Sequence, residues 1–148
     1  MVVQATIRQD VFAAVSALII ANKPQYTHNG TTYTYTMVSE YPENDSVFPC
    51  IVLNKSAIKL PAITMNAETF EPEIEIPMDF YAIAGHGKKA IDIAQDSLMN
   101  TFIGNISSFI ATNKLIPQDD FWQDSGSTTF EDNNQILHNA TSTVRFKL

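Results

Sequence analysis

The chain has 148 residues, 45% of them hydrophobic, and a formal net charge of −7. That length fits one domain, residues 1–148, with a core of its own, and that apolar content excludes a disordered chain. The acidic balance argues against a general nucleic-acid binder, which needs a basic face for phosphates; like-charge repulsion would instead let DNA slide past without sticking.

In chain order, the spacing of Ile7, Val11, Ala14, Val15 and Leu18 predicts a helix over residues 7–22, opened by a capping box of Thr6 and Gln9 and stopped at Lys23-Pro24. His28-Asn29-Gly30 reads as a turn, since Asn-Gly tolerates positive φ. A strand is expected over residues 31–41, where Tyr33, Tyr35 and Met37 alternate with Thr34, Thr36 and Val38. Residues 42–46 form a polar loop. A second strand, residues 47–59, is apolar on both faces through Phe48, Cys50, Val52 and Ile51, Leu53, which fits a central place in a sheet. Cys50 is the single cysteine, so it makes no internal disulfide and reads as a buried, inert thiol. Residues 60–70 read as a loop or hairpin tip.

Residues 71–84 alternate with period two: Ile74, Ile76, Met78 and Phe80 face one way and Glu73, Glu75 and Asp79 the other. After Gly85-His86-Gly87 comes an apolar stripe at helical spacing, Ile91, Ala94, Leu98 and Phe102. Gly104 interrupts that helix with a kink or a break, and Asn105 caps a continuation through Ile106, Phe109 and Ile110. Residues 113–127 read as an acidic loop carrying Phe121 and Trp122. A short strand over residues 128–131 and a turn at Asp132-Asn133-Asn134 lead to a last strand, residues 135–148, with Val144, Phe146 and Leu148 on one face and Thr143, Arg145 and Lys147 on the other. The expectation is an α+β domain: a mostly antiparallel sheet of four to five strands with two main helices packed on one face.

No catalytic motif stands out. Gly85-His86-Gly87-Lys88-Lys89 fails as a phosphate loop, because Ala82 stands where a glycine is required and Lys89 where Ser or Thr must hold magnesium. His28, His86 and His138 do not fall at metal-ligand spacing, and one cysteine adds no second soft ligand. No Gly-x-Ser-x-Gly elbow is present. Neither a cofactor nor a metal is expected. The start of the chain lacks a signal-peptide pattern, and no apolar run approaches the ~18 residues of a membrane span.

Two groups of residues are candidate contact surfaces. Glu71, Glu73, Glu75 and Asp79 form a carboxylate row, at about 7 Å intervals between alternate residues. Arg145 and Lys147 form a cationic row, as do Lys55 and Lys59. If these strands are neighbours, the rows pair within the sheet; otherwise the acids point at a neighbouring subunit or line a channel. Phe121 and Trp122, in an acidic loop, either anchor a partner or cap the domain's own core.

The layout resembles the tail terminator, or tail completion, proteins of long-tailed phages. The resemblance rests on the helix near residues 7–22, the Phe48-Pro49-Cys50-Ile51-Val52-Leu53 strand, the strand over residues 73–84 ending at a small-residue turn, the helix with Ala90, Ile91, Ala94, Leu98 and Met99, and the basic-apolar terminal strand Val144 to Leu148. It covers most of the chain and is one of size, order and pattern. It implies a non-enzymatic virion protein of the tail or neck, made in the host cytoplasm. It also implies rings, commonly hexamers, that cap the tail tube and dock the head-completion or connector protein while DNA passes without specific binding. Other head-tail connectors and tail-tube subunits share the description. A small enzyme or ligand-binding domain is the contrasting expectation, and it requires a pocket with convergent polar groups near His86 or His138.

Overall fold

The strand over Glu73–Ile83 is the spine of the molecule. In the computed structural model, which describes residues 7–38, 48–54, 57–59, 72–113, 115–132 and 134–147, its residues alternate strictly between buried and half-buried. Ile74, Ile76, Met78, Phe80 and Ala82 are wholly buried, as the period-two pattern predicts. The elements in order are α1 (Ile7–Ala21), β1 (Gln25–His28), β2 (Thr31–Thr34), β3 (Thr36–Val38), β4 (Cys50–Leu53), β5 (Ala57–Lys59), β6 (Glu73–Ile83), α2 (Lys89–Gly104), α3 (Ile106–Asn113), β7 (Ile116–Asp132) and β8 (Gln135–Lys147).

The main sheet has six strands in the order β3-β4-β6-β8-β7, with β5 also on β6, and β1-β2 form a separate two-stranded sheet. All pairings are antiparallel except β3 with β4. The class is therefore α+β, but three details of the expected layout are corrected. The sheet is mixed and larger than four to five strands, and a second small sheet accompanies it. The helices number three among the described residues: α2 stops at Gly104, where the Asn105 amide turns back to the Phe102 carbonyl, and α3 starts afresh at Ile106. Of the expected loop over residues 113–127, Asn113 ends α3 and residues 116–127 are most of β7, which covers the outer edge of β8.

Two predicted strands are each divided. The run over residues 31–41 breaks at Tyr35, whose ring is buried and whose hydroxyl donates to the Ala90 carbonyl at 2.9 Å. Before it, β2 closes a hairpin with β1 around Asn29 (φ 49) and Gly30 (φ 78), a two-residue turn with both φ positive. After it, β3 enters the main sheet. The run over residues 47–59 splits into β4 and β5. Leu53 faces Met78 but Ala57 faces Glu75, so this side takes one more step than β6 does. The offset lies beyond Asn54, whose amide donates to the carbonyl of Pro77, a residue with no amide hydrogen to return to the ladder. As expected, β4 is buried on both faces and lies inside the sheet. Thr6 of the capping box and the loops over residues 42–46 and 60–70 lie outside the described residues.

Register places Ile51, Leu53, Ile74, Ile76, Met78, Phe80, Ala140, Val144 and Phe146 on one sheet face. They form a single core with Val11, Val15 and Ile19 of α1, Ala90, Ile91, Ala94, Leu98 and Phe102 of α2, and Phe109 of α3. The opposite face carries a smaller cluster of Phe48, Cys50 and Leu137, with Tyr81, Ile83 and Phe130 packed against it.

Candidate functional site

The helix-free sheet face gathers the charged residues. β8 lies beside β6 so that Glu73 faces Lys147 and Glu75 faces Arg145. Arg145 Nε is 3.1 Å from Glu75 Oε2, with each side chain about one-fifth exposed (19% and 21%), and its Nη1 donates to Gln123 Oε1 at 2.8 Å. Asp120 approaches the same guanidinium at 3.7 Å. Farther along, Asp79 accepts from Asn54 Nδ2 at 2.6 Å and from the Thr141 hydroxyl. The two rows therefore lie on neighbouring strands, and the Glu75–Arg145 contact lies within the sheet. Lys59 of β5 is also in register with Glu73. Glu71 and Lys55 lie outside the described residues.

Phe121 and Trp122 turn toward the protein's own core. Phe121 is buried against the Phe146 ring at 5.3 Å, and the half-buried Trp122 lies 5.6 Å from Phe102. Neighbours on a regular strand point to opposite faces; the register shift between Pro117 and Trp122 lets both reach the core.

The helix-covered side carries a polar cleft of about 110 Å³ between the start of α2 and the β7–β8 ribbon. Lys88, Ile91, Asp92 and Gln95 line it from one side, and Ser127, Thr129, His138 and Ala140 from the other. His138 Nδ1 lies 3.0 Å from the Thr129 hydroxyl. Behind the cleft a relay runs from buried groups to the surface: Gln95 Nε2 donates to Ser142 Oγ at 2.9 Å, both residues buried, and Ser142 donates to Oδ1 of the exposed Asp124 at 2.6 Å. Trp122 Nε1 donates to the same carboxylate oxygen at 2.9 Å. The relay satisfies polar groups that would be costly to bury alone.

A second concavity is apolar. The groove between α1 and α3 has a volume of about 330 Å³ and is lined by Ala14, Ala17, Leu18, Ala21, Asn105, Ser108 and Phe109. Ile20 and Ile110, on the same two helices, are about half exposed (52% and 46%).

His28 and His86 meet, whereas His138 stands apart in the polar cleft. The rings of His28 and His86 stack at 4.5 Å, and Tyr26 and Tyr33 complete the group. Sequence reasoning missed this cluster. The available signal was the Asn29-Gly30 turn, because a two-residue hairpin around it pairs Tyr26 with Tyr33. Cys50 is buried, and burial pushes its thiol up to about 12. Among the described residues no three His, Cys, Asp or Glu side chains come together as a metal ion would need. No described helix is long and apolar enough to cross a membrane.

The chain matches no protein-family model and no curated protein.

Proposed function

We propose that the chain is a structural subunit that works by packing against copies of itself, in the manner of the phage tail terminator and tail completion proteins its layout resembles. The observation that carries this reading is the uncharged α1–α3 groove, flanked by helices that each expose an isoleucine. In a chain of net charge −7, copies repel over most of their surface, and contact is favoured where charge is absent. The Glu75–Arg145 pairing lies inside the sheet and so takes this part of the carboxylate row out of the candidate subunit contact. On this reading the subunit forms a ring, hexameric as in the family it resembles, on the end of the tail tube. It is a virion protein that meets the tube on one side and the head-completion or connector protein on the other, and DNA passes its acidic surface without specific binding. Neighbouring neck or tail-tube subunits are the nearest alternatives.

Light scattering and electron microscopy of the purified protein, alone and with tail tubes, test this directly. Closed rings or capped tubes are expected. A strictly monomeric protein that ignores tubes at high concentration would overturn the reading.

A second reading is favoured by the polar cleft beside His138, where an imidazole, an ammonium, a carboxylate and two hydroxyls converge. It makes the domain a binder of a small polar ligand. A His138→Ala variant that assembles normally but loses a ligand bound by the parent supports it.

A further inference from the structure

The β1–β2 hairpin belongs to a sheet separate from the six-stranded one, and rings help to join it to the turn between β6 and α2. The His86 ring on that turn lies 4.5 Å from His28, with the planes inclined by 29°, and 4.4 Å from Tyr33. Its Nδ1 is 2.6 Å from the Tyr26 hydroxyl. Tyr26 in turn stacks on Tyr33 at 5.4 Å. The titratable groups facing His86 are thus Tyr26 and His28 of β1 and Tyr33 of β2, while Lys88 and Lys89 follow it into α2.

We infer that His28 and His86 form an acid-released latch that fastens the hairpin to the turn preceding α2. With His86 neutral, the Tyr26 hydroxyl and Nδ1 of His86 share one hydrogen bond. Burial, with a smaller contribution from Tyr33, pushes the Tyr26 phenol up to about 12, so it stays protonated throughout this range. A first proton is tolerated, because an imidazolium stacks acceptably on a neutral ring. A second places two cations face to face, and this repulsion opens the latch; the Tyr26 hydroxyl, which both donates and accepts, can keep its bond to a protonated Nδ1 of His86. Burial, and then the neighbouring His28, hold the His86 imidazole below its ordinary value. The opened state therefore binds the proton more readily than the closed one. The latch is intact above about pH 6.5 and loosens as pH falls from there through the lowered closed-state value.

Hydrogen exchange of the intact protein at about pH 7.5 and about pH 5, corrected for intrinsic rates, tests the latch. Protection of the hairpin amides between Gln25 and Thr34 should fall about fivefold at the lower pH, while the β6–β8 amides hold. His28→Phe, a ring without the charge, should abolish the fall, and His138→Asn should preserve it. Equal hairpin protection at the two pH values, or a fall that survives in His28→Phe, would falsify the latch. Should His28→Phe not fold, NMR titration of the parent decides, and a His86 pKa at or above the ordinary imidazole value overturns the proposal.

Discussion

Arg145 shows how a charged residue acts when a sheet surrounds it. Its guanidinium reaches Glu75 on one neighbouring strand and Gln123 and Asp120 on the other, so it ties β6, β8 and β7 together across three strands. The pair with Glu75 is largely shielded from water, and a double-mutant cycle of Arg145→Met and Glu75→Gln in urea unfolding should give a coupling of about 1 kcal/mol. A coupling near zero would mean that solvent screens the contact. Cys50 makes the opposite point, because its isolation is its property. With the thiol pushed up to about 12 by burial, alkylation near neutral pH should occur only on unfolding. The sign of the linkage follows. The unfolded thiol ionises first, so this contribution to stability is intact below about pH 9 and is lost as pH rises from there toward the folded value. Cys50→Ala should flatten that alkaline slope in a pH series of urea midpoints. Both residues were visible in the sequence, Cys50 from its apolar run and Arg145 from its alternation. Of its partners, the carboxylate row that holds Glu75 was offered by the sequence on condition that the two strands are neighbours, which only the fold decides, whereas Gln123, 22 positions away on β7, was not.

At the scale of elements, two glycines illustrate how position decides a substitution. Gly87 joins the β6 turn to α2 with φ 84 and ψ 164, a conformation that side chains resist, although a Cβ there would meet no neighbouring atom. Gly87→Ala should therefore destabilise the protein by about 1–3 kcal/mol through backbone strain alone. Gly104 closes α2 in open space, and Gly104→Ala should instead stabilise it by about 0.5 kcal/mol. Thermal and urea unfolding of the two variants should move in opposite directions. The α1, α2, β6 and β8 elements were legible because each writes its buried stripe in consecutive residues. Of β7 only the short stretch over residues 128–131 was: most of its side chains are half-buried or exposed, and register shifts break whatever alternation it has. It is a strand because the outer edge of β8 needs backbone partners, a demand that its own side chains do not record.

For the whole molecule, the helices cover one sheet face and leave an uncharged groove on the outside. If copies meet there, Ala17→Asp should leave the circular dichroism spectrum unchanged and prevent assembly, because it places a carboxylate in an apolar contact. Assembly at undiminished affinity in that variant would move the interface elsewhere. The polar cleft near His138 is a separate surface, so loss of assembly in Ala17→Asp with the cleft intact distinguishes the two readings.

The residue order alone determined the α+β class, the β6-turn-α2 junction and the burial of β4, since periodicity and composition are local and each stripe must find cover. Tertiary structure alone decided that Tyr35 divides two sheets, that Phe121 and Trp122 turn inward, and that His28 meets His86. Those outcomes depend on which distant segments become neighbours, and a ring or a carboxylate acquires its role from the group placed opposite it.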